Sequence, residues 1–213
     1  MGKLPFKNIW LFLPCLNEAG NLAAIVAVIQ KQPISPLHIL IVVDKSTDGT
    51  EKIAAKLQQQ YPNQVIAWQH PAPSSRAIAG KDAFSYCLNH KADVIIEMDA
   101  DFSHHPKYIP IMLQELAKSG VDVVLGSRFL PGASDSDRSA FRTFISRLSG
   151  IVFRIILGIK LTDMGSGFKT YKRQALASIN PQQLYSRKGL AISLESIFRL
   201  MRALFQIHSA ARQ

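Results

Sequence analysis

An α/β fold with a mainly parallel sheet flanked by helices is what this sequence predicts, on three observations. Five short apolar or β-branched runs are spaced along residues 9–125. Turn residues follow each run, and helix-length segments follow the first four. Strand and helix signals alternating in this way make βαβ units, and these stack their strands in parallel.

The strands are predicted at Ile9–Leu13, Ile39–Val43, Val65–Trp68, Val94–Met98 and Val121–Leu125, each rich in the residues that suit a pleated, buried surface. The helices are predicted at Leu22–Lys31, Thr50–Tyr61, Ala77–Asn89, Pro106–Lys118, Ala140–Leu157 and Ile192–Phe205. Pro106 suits an N-terminal turn, where a backbone N–H would be unpaired in any case. No internal repeat or low-complexity linker breaks the series.

At 213 residues and 47% hydrophobic content the chain can bury one large core, or a core plus a small appendage. One domain over residues 1–213 is therefore expected. The two cysteines, Cys15 and Cys87, lack ligand-like spacing, which favours a reducing compartment and a place in the core or a loop. Residues 1–10 contain no apolar stretch followed by a small-residue cleavage site, so the expected location is the cytoplasm. The longest apolar runs, residues 151–159 and 190–207, are broken by Arg154 and by Glu195, Arg199 and Arg202. Both fall short of the ~20 uninterrupted residues a spanning helix needs.

Charge is unevenly placed. Residues 1–137 hold 12 Lys/Arg and 13 Asp/Glu, net −1, whereas residues 138–213 hold 13 and 2, net +11. The last third is thus the anion-facing part: nucleic acid, an anionic membrane surface or a phosphorylated substrate would suit it, as would a plain solvated basic face.

The run Ile96-Glu97-Met98-Asp99-Ala100-Asp101-Phe102-Ser103-His104-His105-Pro106 ends an apolar segment with two carboxylates two residues apart. Side chains at i and i+2 of an extended segment share a face, so Asp99 and Asp101 can meet one hard cation bridging a diphosphate. Aspartates are also ordinary loop residues after a strand. The company is what raises the pair: the first strand ends in Pro14-Cys15-Leu16-Asn17-Glu18, the second in Asp44-Lys45-Ser46-Thr47-Asp48-Gly49-Thr50 and the fifth in Gly126-Ser127-Arg128-Phe129. In a parallel sheet the carboxyl ends of strands converge on one ligand crevice.

Taken in order, Pro14-x-x-Asn17-Glu18, Asp44-x-Ser46-x-Asp48-Gly49-Thr50, Asp99-Ala100-Asp101, Gly126-Ser127-Arg128-Phe129, Arg142-x-x-x-Ser146-Arg147 and Asp163-x-x-Ser166-Gly167-Phe168-Lys169-x-Tyr171 resemble the family 2 glycosyltransferases, nearest the dolichol-phosphate mannose synthase branch. The resemblance spans about residues 9–198. It implies a Rossmann-like GT-A fold and an inverting transfer of a hexose, mannose first among them, from a nucleotide sugar to a polyprenyl or dolichyl phosphate. Residues 1–137 would then form the nucleotide-sugar-binding part and 138–213 the basic, acceptor-binding part. The alternatives are a glucosyl- or N-acetylhexosaminyl-transferase using a UDP-sugar, or a noncatalytic, degraded member.

Breaking the anomeric bond to a nucleoside diphosphate leaves growing negative charge on the diphosphate. Mg²⁺ or Mn²⁺ held by Asp101, with Asp99 alongside, would take up that charge as a Lewis acid. The resemblance places Asp101 in direct ligation, Asp99 nearer the ribose or the metal shell, and Ser103 where a further ligand can stand. His104 and His105 suit zinc, but hard oxygen ligands favour Mg²⁺ or Mn²⁺, and adjacent histidines in an extended loop diverge.

A phosphomonoester, with second pKa near ~6, is largely dianionic at neutral pH and attacks without a general base, so its site needs cations. Arg138, Arg142 and Ser146 stand at i, i+4 and i+8 on one side of a predicted helix. By resemblance Arg128, Arg142 and Ser146 bind the acceptor phosphate. The Asp163–Tyr171 stretch is loop-forming through Gly165 and Gly167, from which Lys169 can reach a phosphate; the other reading is a plain turn into a short strand.

By the same resemblance Pro14, Glu18 and Asp44 surround the base and ribose. Leu16 stands where an aromatic residue is usual and Val43 where an aspartate is, which leaves guanine and uracil both open. Asp48 reads as the N-cap of the helix near Thr50. The chain stops at Gln213, where family members continue, so a truncated or naturally short form is expected. The apolar stripe of 192–205 suits the core or, alternatively, a membrane surface. The partners expected are a nucleotide-sugar donor (GDP-mannose or a UDP-sugar), a polyprenyl phosphate and, peripherally, the anionic cytoplasmic face of a membrane. No basic-aromatic RNA signature or zinc-finger spacing points to nucleic acid. A nucleotidyltransferase would usually carry a Gly-rich basic loop after its first strand, and Pro14–Glu18 is not one.

Overall fold

A continuous apolar run, Ile-Trp-Leu-Phe-Leu-Pro-Cys, forms the central strand β1 (Ile9–Cys15). Its odd residues Ile9, Leu11, Leu13 and Cys15 enter one core and its even residues Trp10 and Phe12 the other. Burial on both faces is why the run shows no polar alternation. The computed structural model describes residues 4–70, 75–127 and 166–183.

The other elements follow as α1 (Leu22–Gln30), β2 (Leu37–Val43), α2 (Thr50–Gln60), β3 (Val65–Gln69), α3 (Arg76–Asn89), β4 (Val94–Glu97), α4 (Ile109–Leu116), β5 (Val123–Leu125), β6 (Lys169–Lys172) and α5 (Arg173–Ile179). The six strands lie in the order β3-β2-β1-β4-β6-β5. β1, β2, β3 and β4 are parallel, and β6 runs antiparallel to both neighbours. One core, beneath α1, α2 and α4, gathers Leu22, Ile25, Ala54, Leu57, Met112 and Leu113. The other, beneath α3 and α5, gathers Ala83, Phe84, Cys87, Leu176 and Ile179. The result is an α/β/α sandwich, as the alternating signals predict.

Every predicted strand is present to within two residues at each end, and three helices match closely. The helix expected over Pro106–Lys118 is instead a 3₁₀ turn, Pro106–Tyr108, followed by α4. Pro110 sits at the start of α4, where its missing N–H is harmless, and so marks a fresh helix start. Sequence reasoning misses β6 and α5. The segment expected to form a loop bearing Lys169 is, from Lys169 on, the inner strand β6, which corresponds to the turn-into-strand alternative. Both cysteines are buried free thiols, and burial pushes both pKa values up. Among the described residues no helix is long and apolar enough to cross a membrane. The helices expected at 140–157 and 192–205 lie outside the described residues.

Candidate active site

The strand order reverses between β1 and β4, with β2 and β3 on one side and β6 and β5 on the other. The crevice beyond the carboxyl ends at such a switch point is where open α/β sheets take ligands. A cleft of about 210 Å³ opens there. Pro14, Leu16 and Glu18 line it from the end of β1 and its loop, Asp44 from the loop after β2, and Asp99 and Asp101 from the loop after β4. Cys15, Ala100, Val42 and Ala79 complete its wall; sequence reasoning passes over Val42 and Ala79 because they are apolar residues that nothing local distinguishes.

The two motifs on the first loops are largely bonded to each other. The Asn17 N–H donates to Ser46 Oγ at 3.1 Å, Glu18 N–H to Thr50 Oγ1 at 2.9 Å and Ala19 N–H to Asp48 Oδ2 at 2.9 Å. In return Thr47 N–H donates to Asn17 Oδ1 at 2.8 Å. Asn17 adopts φ 57°, a left-handed conformation that asparagine tolerates. These residues join the loops, and Pro14, Glu18 and Asp44 are thereby held at the cleft.

Asp48 is not the N-cap of α2 that the sequence suggests; it stands one residue before the cap and bonds the first residue of the helix. Gly49, at φ 91°, occupies the cap position, while Asp48 Oδ1 accepts from Thr50 N–H at 3.0 Å and Thr50 Oγ1 at 2.6 Å. Those Thr50 bonds, with the Ala19 N–H, hold its carboxyl below the usual value. Val43 is buried in the core under α1 and α2, so the position that departs from the family pattern packs inward and lines no part of the cleft. Leu16 is 55% exposed at the rim.

Beyond β4 the chain bends, so Asp99 and Asp101 are not successive same-side residues of an extended strand. Asp99 is half-buried and Asp101 exposed, and both line the same cleft. Asp101 Oδ1 accepts the Ser103 N–H at 2.9 Å, and Phe102 turns the chain at φ 61°. Acidity concentrates here. Burial raises the Glu18 pKa, the Asn21 amide opposes this, and the carboxylates of Asp101 and Asp48 raise it further. The Asp99 charge adds to the upward push on Cys15.

A hard divalent cation fits this donor set: carboxylate oxygens on an open cleft, with no three His, Cys, Asp or Glu side chains among the described residues closing a complete cage. The histidines diverge. His105 is exposed, its Nδ1 accepting the Lys107 N–H at 3.1 Å, whereas His104 is 8% exposed with its Nε2 3.2 Å from Ser166 Oγ. Ser103 is exposed and lies outside the cleft lining.

Lys169 lies in strand β6 and not in the loop the sequence suggests. Its side chain is 0% exposed, and its ammonium donates to Glu97 Oε2 at 3.0 Å within the sheet, where the two residues stand opposite each other in register. It does not extend from a loop toward a phosphate. Tyr171 OH also reaches Glu97 Oε2, at 3.4 Å, and burial first, then this carboxylate, raises its pKa well above the usual value. Glu97, a charge inside an apolar run, is the sequence signal that would have announced a buried partner. Arg128, Arg142 and Ser146 lie outside the described residues, as does Arg138.

The model of the glycosyl transferase family 2 matches residues 10–179, from β1 to α5. The chain belongs to this family. Polyprenol monophosphomannose synthase of Mycolicibacterium smegmatis is 28% identical to this glycosyltransferase over 203 residues, 95% of this chain and 76% of that one. Undecaprenyl-phosphate mannosyltransferase of Micrococcus luteus is 30% identical over 195 residues, 92% of this chain and 78% of that one. Glucosyl-3-phosphoglycerate synthase from Mycobacterium tuberculosis, crystallised with Mn²⁺, UDP-glucose and phosphoglyceric acid, superposes with a TM-score of 0.68 at 19% identity, covering 93% of this chain and 67% of that one. That likeness shows the GT-A fold of this glycosyltransferase.

Proposed function

We propose that this glycosyltransferase moves mannose from GDP-mannose to a polyprenyl phosphate at the surface of an anionic membrane, with inversion at the anomeric carbon. The observation that carries the reading is the acidic cleft at the β1/β4 switch point, where Asp99 and Asp101 face Glu18 and Asp44. The mannose and the lipid phosphate come from what the two mannosyltransferase relatives are named for.

In this reading Pro14, Glu18 and Asp44 hold the base and ribose. Asp101, with Asp99, would hold Mg²⁺ or Mn²⁺, which would supply Lewis-acid stabilisation to the departing diphosphate, while Ser103, outside the cleft lining, serves through its N–H to Asp101. Asp101 is suited to this because it is exposed at the cleft and its Oδ1 is fixed by the Ser103 N–H. Arg128, Arg142 and Ser146 orient the acceptor phosphate, whose oxygen attacks the anomeric carbon as the bond to the diphosphate oxygen breaks. No proton need be removed, since the phosphate is already largely dianionic near neutral pH.

A UDP-sugar is the second reading. Val43, buried in the core where the family carries an aspartate, offers no acceptor for a base N–H, so the cleft favours guanine no more than uracil. Calorimetry of nucleotide-sugar binding tests the site itself. Asp101→Ala should keep the fold and lose the increment in donor affinity that Mn²⁺ confers; undiminished Mn²⁺-dependent binding in the variant would refute the assignment.

A further inference from the structure

The metal loop is fastened to a segment some sixty residues further along the chain, and the fastening runs through His104. Phe102 turns the chain at φ 61°, and His104 then dives inward to 8% exposure, while Asp101, Ser103 and His105 on either side stay exposed. Its Nε2 lies 3.2 Å from Ser166 Oγ, a hydroxyl that is 0% exposed, and its ring stands 5.4 Å from the Phe168 ring. Ser166 Oγ also accepts the Phe168 N–H at 3.1 Å, which fixes the turn into β6.

The contact continues to the end of β5. Gly126 N–H donates to the Phe168 carbonyl at 2.8 Å, and a Cβ on Gly126 would stand 2.9 Å from Phe168 Cδ1. Glycine at 126 is what lets the Phe168 ring lie against this backbone. Gly126 opens the Gly126-Ser127-Arg128 motif. The metal loop, the Ser166–Phe168 turn and the backbone leading to Arg128 are therefore one contiguous set of contacts.

We infer that His104 is a positioning residue: through Ser166 it holds the Asp99–Asp101 loop in the geometry that takes the divalent cation. The inference rests on the proposed function for Asp101 but makes a separate claim, since neither His104 nor Ser166 lines the cleft. A buried polar contact of this kind favours one loop conformation because the ring nitrogen and the hydroxyl meet away from water, so no solvent molecule replaces the bond when the loop shifts. Groups that orient a metal-ligating loop from behind affect metal affinity while touching neither metal nor substrate.

The test uses the full chain and four variants: Ser166→Ala, His104→Leu, His104→Gln and the Ser166→Ala/His104→Leu double. Hydrogen exchange without ligand reads the tie directly: Ser166→Ala should speed exchange at the amides of residues 101–105. Calorimetry with GDP-mannose, in EDTA and in Mn²⁺, reads the function. The EDTA affinity should be unchanged, and the Mn²⁺ increment should fall roughly tenfold in Ser166→Ala and His104→Leu. The double variant should lose no more than either single one, and His104→Gln, which offers an amide near the position of Nε2, should recover part. Unchanged exchange at 101–105, or equal loss in EDTA and Mn²⁺, would overturn the inference. If exchange responds as expected but the wild type shows no Mn²⁺ increment, the proposed function of Asp101 has failed and the positioning role falls with it; the exchange pattern tells the two failures apart.

Discussion

Glu18 shows how one side chain reports on the whole cleft. Its pKa stands above the ordinary glutamate value chiefly through burial, with the charges of Asp101 and Asp48 adding to the rise and the Asn21 amide opposing it. A raised carboxyl means that the fold favours the protonated form. The protein gains most from this below the ordinary glutamate pKa and loses it as pH rises through the raised value. Glu18→Gln, which keeps an oxygen for the Asn21 amide, should therefore match the wild type in thermal stability near about pH 4 and exceed it as pH rises through the raised value, the gap levelling off above it. Melting curves across that range check it, and a constant offset would show that the fold does not raise this carboxyl's pKa. Glu18, Asp44, Asp99 and Asp101 were legible in the sequence because each is a charged residue in the turn that ends a strand. The bonds of Asn17, Ser46, Thr47 and Asp48 were not, since a motif does not say whether its members hold a ligand or each other.

β6 is the element that sequence periodicity could not find. Lys-Thr-Tyr-Lys reads as polar, and its strand character depends on a partner seventy-two residues away, Glu97, whose carboxylate receives the Lys169 ammonium inside the sheet. The parallel strands were legible because their apolar runs carry the signal locally; a buried ion pair spreads its signal over two distant segments. Removing the ammonium takes a buried counter-charge from Glu97, so Lys169→Met should cost about 3–5 kcal/mol in chemical denaturation. Lys169→Met with Glu97→Leu should recover part of that, though Tyr171 then loses its acceptor. At temperatures where Lys169→Met is folded, calorimetry should find its donor affinity near that of the wild type. A selective loss of donor binding without loss of stability would return Lys169 to the phosphates.

On the scale of the whole molecule, the described sheet carries the acidic cleft, while residues 138–213 carry net +11, with Lys169 of β6 buried and paired inside the sheet. A lipid acceptor presents its phosphate at a bilayer surface, where each well-placed Lys or Arg contributes ~1 kcal/mol toward an anionic leaflet. Vesicle sedimentation should show binding to anionic but not neutral liposomes, weakening with salt because exposed charges are screened over ~8–10 Å. Equal recovery on both, unaffected by salt, would assign the basic part another purpose. The central claim, a family 2 glycosyltransferase that passes mannose to a polyprenyl phosphate, meets its most direct test in one transfer assay. Labelled GDP-mannose, UDP-glucose and UDP-N-acetylglucosamine are each incubated with a short polyprenyl phosphate, with Mn²⁺ and with EDTA. Label should pass to the lipid from GDP-mannose in Mn²⁺ and not in EDTA. Transfer from a UDP-sugar alone, or from no donor at all, would contradict the account.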